Sequence, residues 1–171
     1  MKRNTKIVII VAAALILAAG VLALLNRGSI LQKQAMQEEG TFLVSAGGQT
    51  YVVAMDDLLA LSPRGVQANA KSSTTDYTKK QFTGVPLAAV LRHLDVDCSA
   101  AEKVIFTAAD GFTSVISLAD ALDEESCFII FEEDGKPLGT KASGGTGPFR
   151  MILTKDPYAN RWCKFLLEIT I

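Results

Sequence analysis

Residues 82–94 read FTGVPLAAVLRHL, an extended segment that turns directly into a helix. Pro86 stands at this turn, and its fixed φ suits the first position of a helix. Apolar side chains then recur at helical spacing and form one face: Leu87, Val90, Leu91 and Leu94. His93, the only histidine of the chain, lies at the flank of that face, so we expect it at the surface. We therefore predict a helix from Pro86 with one buried face.

Segments rich in β-forming residues lie on both sides of this helix. The predicted strands cover residues 41–45, 50–54, 66–71, 77–82, 103–107, 112–118, 127–131 and 164–171. A glycine pair at 47–48 joins the first two strands as a hairpin, and one helical turn is predicted at 56–61. Because strands outnumber helices and the two alternate irregularly, we predict an α+β domain of small mixed sheets with short helices.

An uncharged apolar run, IVIIVAAALILAAGVLALL, occupies residues 7–25. About 20 apolar residues in a helix suffice to cross a bilayer, and the basic residues before the run favour a cytoplasmic N-terminus at 1–6. We therefore predict a single-pass anchor at 7–25, a stalk at 26–40 and a domain at 41–171 outside the cytoplasm, at the cell membrane. The alternative is a cleaved signal peptide, whose apolar region is normally shorter.

The charge distribution excludes nucleic acid as a partner. All 18 acidic residues follow the apolar run, whereas three of the 17 basic residues precede it, so the predicted exported part is acidic. Its basic residues are dispersed rather than clustered, as binding to a phosphate backbone would require. Two acidic patches, residues 123–125 and 132–134, are interpreted as solvated turns.

Three cysteines lie in the predicted exported part: Cys98, Cys127 and Cys163. An oxidising compartment permits at most one intramolecular disulfide among them, and the sequence leaves the pairing open. Their spacing contains no CxxC and no zinc-ligand pattern. Cys163 alternates with the apolar residues after it as though it faces a core, so we interpret it as a buried free thiol.

The glycines gather at residues 139–147, in a loop that leads to Arg150. A fixed positive charge beside backbone amides predicts a place that can hold an anion. The loop is not a P-loop, because no Gly-Lys-Ser/Thr follows it. The alternative is a surface loop with Arg150 in a salt bridge. A lone histidine and the lack of a nucleophile elbow exclude the usual hydrolase triads.

Five segments, taken in order, carry a resemblance to a known family. They are Phe82–Leu87, Ala109–Phe112, Asp134–Leu138, Gly147–Arg150 and Arg161–Lys164. Over residues 41–171 the chain resembles the molybdopterin-binding domain of sulfite-oxidase-type oxidoreductases. The resemblance implies that family's mixed domain of helices and compact sheets.

The resemblance also implies roles for individual residues. Arg150 and Lys164 match positions that help hold the pterin phosphate and nearby polar groups in the family, and Trp162 matches a structural aromatic. The family's molybdenum-ligating cysteine precedes the Gly-Val-Pro-Leu motif, but residues 68–74 contain no cysteine and the position falls near Ser72. A serine hydroxyl replaces a soft thiolate poorly.

A second position also departs from the family. Its usual histidine before Gly-Pro-x-Arg is replaced by Gly144 or Gly145. The ligand-binding candidates are therefore Ser72, Gly145, Thr146, Arg150 and Lys164. No catalytic residue and no metal ligand are predicted.

These departures lead to three functional hypotheses. The leading one is a non-catalytic relative at the outer face of a membrane, which binds a small anion or an envelope protein and needs no cofactor. The second is a molybdopterin-dependent oxidoreductase with an altered metal site, and the third is a structural module of a membrane complex. The sequence leaves open whether the protein is an enzyme.

Overall fold

The computed structural model describes residues 2–71 and 78–171, with the backbone alone at 2–7, 22–27 and 29. The chain divides into two compact units, residues 1–35 and 36–171. Helix α1 (Lys2–Glu39) accounts for the first unit and contributes its last residues to the second. Within the described part of the chain, no helix is both long and apolar enough to cross a membrane. The predicted anchor includes positions 7 and 22–25, whose side chains lie outside that part, so it stays a prediction.

The second unit consists of short strands with three short helices among its described residues. The strands are β1 (Thr41–Ala46), β2 (Gln49–Ala54), β3 (Arg64–Asn69), β4 (Lys79–Pro86), β5 (Lys103–Ala108), β6 (Thr113–Ser117), β7 (Cys127–Glu133), β8 (Lys136–Pro137), β9 (Arg150–Leu153) and β10 (Leu166–Thr170). The helices are α2 (Met55–Ala60), α3 (Leu87–His93) and α4 (Leu118–Leu122). Single 3₁₀ turns cover Lys141–Ser143 and Ala159–Arg161.

The strands form two sheets that share one core. The first has the order β2-β1-β10-β5-β6, in which β1 and β10 are parallel and the other pairs antiparallel. The second has the order β3-β4-β7-β8, with β9 also paired to β7, and is antiparallel throughout. Five fully buried phenylalanines fill the core. Four come from strands of both sheets, namely Phe42, Phe82, Phe106 and Phe128, and Phe149 comes from the segment just before β9. The predicted α+β fold of mixed sheets and short helices is confirmed.

The first hairpin and helix α3 follow the prediction, but some boundaries differ. Strand β4 continues to Pro86 because it stays paired with β7 as far as Phe128, so Pro86 ends the strand and α3 begins at Leu87. Helix α4 was not predicted, since five residues are too few to show helical periodicity. Strand β9 was not predicted either, because all four of its residues are buried and none alternates with a polar one.

Gly84 marks the closest approach of β4 to β7. A Cβ at this position would lie 2.3 Å from the Ile129 carbonyl oxygen and 2.6 Å from the Ile130 Cα. The register between the two strands also shifts between Thr83 and Gly84. Only a residue without a side chain allows the two backbones to lie this close.

All three cysteines are free thiols, and they differ in exposure. Cys127 and Cys163 are fully buried, as predicted for Cys163, whereas Cys98 is partly exposed. Burial raises the pKa of the Cys127 thiol, and burial with the nearby Asp110 charge raises the pKa of Cys163 to about 12. Burial raises the pKa of Cys98 as well, with a contribution from Asp97. The two core thiols are therefore unreactive in the folded protein.

We expect a thiol reagent to modify only Cys98 in the native protein and all three cysteines after unfolding. The reason is that the reagent attacks the thiolate and needs access to the sulfur. The measurement is a thiol titration by absorbance, before and after denaturant is added. The Cys98→Ser variant is the control and should show no fast-reacting thiol. Fewer than three thiols in the unfolded, unreduced protein would indicate a disulfide and contradict the structure.

Candidate functional site

A cavity of about 390 Å³ opens beside the end of β7 and the start of β9. The end of β7, strand β8 and the glycine-rich loop contribute its walls, and β9 contributes Arg150. The lining residues are Glu133, Asp134, Lys136, Pro137, Leu138, Gly144, Gly145, Thr146 and Arg150. Three of the predicted ligand-binding residues are therefore brought together here, namely Gly145, Thr146 and Arg150.

Arg150 is the central charged group of the cavity. It begins β9 opposite Ile130 of β7, and only 5% of its surface is exposed. Its Nη1 donates to Glu133 Oε2 at 2.9 Å, and its Nη2 donates to Thr146 Oγ1 at 2.5 Å. Its Nε is also buried and has no hydrogen-bond partner among the described residues. One N–H on each terminal nitrogen is also without an acceptor among the described residues, and unpaired N–H groups of a buried cation suit the oxygens of a ligand.

Glu133 compensates the charge of Arg150. One carboxylate oxygen accepts from Arg150, and the other accepts from Lys80 Nζ. Burial alone would raise the pKa of Glu133, but the hydrogen bond from Lys80 and the charges of Arg150 and Lys80 outweigh it and lower that pKa. Burial lowers the pKa of Arg150, and Glu133 offsets part of the effect. Arginine nevertheless keeps its charge under all ordinary conditions.

The lowered pKa of Glu133 predicts a loss of stability in acid. A carboxyl whose folded pKa lies below the ordinary value of 4.5 stabilises the fold above that pH, and the contribution is lost as the pH falls through the folded pKa. We expect the Glu133→Gln variant to be less stable than wild type at neutral pH but to lose less stability on acidification. Urea unfolding at several pH values measures this. Glu132→Gln, on the same strand, is the control, and an equal acid slope for the two variants would contradict the assignment.

The backbone amides of the glycine-rich loop are engaged within the loop itself. Those of residues 144–147 donate in turn to the carbonyl oxygens of Lys141, Thr140, Leu138 and Gly139. These four amides are therefore not free to bind a ligand, because this part of the loop folds back on residues 138–141. Gly145 is required for this fold, since a Cβ there would lie 2.2 Å from the Leu138 carbonyl oxygen. Beside Gly144, Gly145 and Thr146, side chains rather than amides are left to bind a ligand.

The other predicted residues lie elsewhere. Lys164 is exposed and does not line the cavity. Ser72 lies outside the described residues. Trp162 is buried, packs edge-on against Phe82 and donates from Nε1 to the Leu153 carbonyl oxygen, in keeping with a structural aromatic. His93 is exposed, as predicted.

Sequence reasoning missed Glu133. It had been grouped with residues 132–134 as a solvated turn, but β7 extends through Glu133 and the side chain is only 20% exposed. The apolar run at residues 127–131 could have indicated this position, because the strand that it forms continues through Glu132 and Glu133. The other acidic patch, residues 123–125, does lie at the surface, where Glu124 and Glu125 form ion pairs with arginines.

The comparison with protein families decides the assignment. The model of the oxidoreductase molybdopterin binding domain matches residues 42–171. The chain belongs to this family. The resemblance carried by the five sequence segments is thereby confirmed.

A solved structure agrees with the family assignment. The crystal structure of the sulfane dehydrogenase SoxCD from Paracoccus pantotrophus is similar with a TM-score of 0.62 and 16% sequence identity. The match covers 79% of this chain and 38% of that one, so the chain spans well under half of that relative. At this identity the likeness concerns the fold alone. No curated protein matches the sequence significantly.

The described residues do not fit a molybdenum centre of the family's kind. None of the three cysteines lines the cavity, and two of them are in the core with raised thiol pKa values. The position near Ser72 carries a hydroxyl in place of the thiolate. What these residues do fit is a small ligand with a negative charge at Arg150.

Proposed function

We propose that this domain is a non-catalytic relative of the molybdopterin-binding oxidoreductases that binds a small anion in the Arg150 cavity. One observation carries the proposal. A guanidinium that is 95% removed from solvent lines an open cavity and keeps three of its five N–H groups without an acceptor among the described residues. An oxygen of a bound anion supplies such an acceptor and gains a charge-assisted hydrogen bond. A docked envelope protein that presents a carboxylate is the alternative occupant.

The contacts of Arg150 also explain how its charge is accommodated in the fold. Two of its nitrogens tie the glycine-rich loop, through Thr146, to the end of β7, through Glu133. This structural role and ligand binding are compatible, because they use different N–H groups.

A molybdopterin-dependent oxidoreductase with an altered metal site is the second candidate, and membership of the family favours it. It requires a molybdenum ligand other than the three cysteines, since none of them lines the cavity. The two candidates differ in one measurable property, the metal content of the purified protein.

The proposal includes a membrane anchor at residues 7–25 with the domain on the outer side. Its support is the uncharged apolar sequence and the exposure of apolar side chains within it, among them Ile10 and Ile16. A helix that is apolar on all sides suits a membrane better than water. The test is fractionation of cells after an alkaline wash. Retention in the membrane pellet with an intact N-terminus supports the anchor, and a mature chain that begins after residue 25 contradicts it.

Binding is tested by titrating the purified full-length chain with acetate, methanesulfonate and sulfate at constant ionic strength. We expect at least one of them to bind saturably and to shift the amide resonances of Gly145 and Thr146. If the folded protein binds none of them, the anion proposal fails and Arg150 is a structural residue only.

A further inference from the structure

The charged groups of the cavity wall compensate one another. Arg150 and Lys136 contribute two positive charges, and Glu133 and Asp134 contribute two negative ones. Lys80 does not line the cavity but holds the second oxygen of Glu133. An anion that enters therefore meets Arg150 together with a carboxylate already bound to it. Attraction to the cations and repulsion from the carboxylates both grow in proportion to the charge of the anion, so a wall with balanced charges gives a second negative charge no net gain. The cost of removing the anion from water rises with its charge.

The donors that remain for the anion belong mainly to Arg150. Arg150 uses one N–H of Nη1 and one of Nη2 within the fold, and the amides of residues 144–147 are all engaged. Nε–H and the second N–H of each terminal nitrogen have no acceptor among the described residues, and the Thr146 hydroxyl, whose oxygen accepts from Arg150, still carries its hydrogen. Lys136 adds only an exposed ammonium group. The Arg150 donors belong to one cation that is already paired with Glu133, so a carboxylate or a similar singly charged headgroup is compensated better than a dianion.

We infer that Glu133 sets the charge class of the ligand, so that the cavity accepts singly charged anions such as carboxylates and discriminates against dianions. The inference rests on the proposed function and makes Glu133 a specificity-determining residue. It acts through its negative charge beside Arg150, and not by touching the ligand.

The experiment compares two anions of the same shape and different charge. Methanesulfonate and sulfate share a tetrahedral headgroup and carry one and two negative charges at neutral pH. Their affinities for the full-length chain are measured by calorimetry at one ionic strength, since exposed charges are screened by salt. We expect wild type to bind methanesulfonate and acetate more tightly than sulfate.

Variants of Glu133, Glu132 and Lys80 test the role of the Glu133 charge directly. Glu133→Gln keeps the size of the side chain and removes its charge, so sulfate affinity should rise roughly tenfold and more than that of methanesulfonate. Glu132→Gln makes the same chemical change on the same strand and should alter either affinity by less than about twofold. Lys80→Met removes a positive charge that is paired with Glu133, so the carboxylate repels anions more strongly. The variant should therefore bind both anions more weakly, with the larger loss for sulfate.

The outcomes separate the inference from the proposed function. If wild type prefers sulfate and Glu133→Gln behaves like Glu132→Gln, the inference is overturned while anion binding stands. If neither wild type nor Glu133→Gln binds any of the anions, the proposed function itself fails. If Glu133→Gln does not fold, the Lys80→Met variant provides the test. Unchanged or tighter binding of sulfate by that variant overturns the inference.

Discussion

Replacing Gly84 by alanine is expected to lower the free energy of unfolding by about 3 kcal/mol, at the upper end of the effects of overpacking. The added Cβ would lie 2.3 Å from the Ile129 carbonyl oxygen and 2.6 Å from the Ile130 Cα. These are backbone atoms in the middle of a sheet, so relief requires β4 and β7 to separate. Because β7 also pairs with β9, the separation would displace Arg150. Urea unfolding followed by circular dichroism measures the effect.

Gly28→Ala is the matched control for this substitution. It makes the same chemical change, in helix α1, where a Cβ would meet no atom within 4 Å. Alanine is favoured over glycine in a helix, so the midpoint of unfolding should be unchanged or slightly higher. Equal stability of Gly84→Ala and wild type would show that the close approach of β4 and β7 does not exist.

Replacing Arg150 by alanine is expected to abolish anion binding and to lower the free energy of unfolding by about 3 kcal/mol. Binding is lost because the guanidinium is the principal buried donor of the cavity. Stability falls because Glu133 keeps only Lys80 as a partner and Thr146 loses its contact with β9. Calorimetry, at temperatures where the variant is folded, measures the first effect, and urea unfolding measures the second. Arg150→Lys keeps the charge but not the planar fork, so it should restore part of the stability and little of the binding.

Arg161→Ala is the control for the loss of an arginine. Arg161 also pairs with a carboxylate, through two hydrogen bonds to Asp156 of 2.8 and 2.5 Å, but its side chain is 47% exposed. Exposed pairs contribute at most about 1 kcal/mol, so its stability should change little and its anion binding not at all. If Arg150→Ala bound anions as wild type does, the ligand would have to bind outside the cavity.

Local sequence patterns predicted much of the fold. Helix α3 follows from four apolar residues at helical spacing, and the first hairpin follows from Gly47 and Gly48, which adopt positive φ values of 56° and 81°. Such features depend on neighbours in sequence. Strand β9 depends instead on pairing with β7, more than 15 residues earlier in the chain, and four buried residues carry no periodic signal of their own.

The candidate site was predicted only in part, for a similar reason. The glycine-rich loop and Arg150 were recognisable because clustered glycines followed by a fixed positive charge form a pattern that is local in sequence. The partnership of Arg150 with Glu133 depends on the register between β9 and β7, which no local pattern encodes. The engagement of the loop amides was also unpredictable, because it depends on how the loop folds back on residues 138–141.

The central claim is that the family fold persists here as a binding domain without a molybdenum centre. The most direct test is the molybdenum and pterin content of the full-length chain, purified in folded form from a host that makes and exports the cofactor. We predict far less than one molybdenum per chain, together with saturable binding of a singly charged anion. One molybdenum and one pterin per chain would contradict the account.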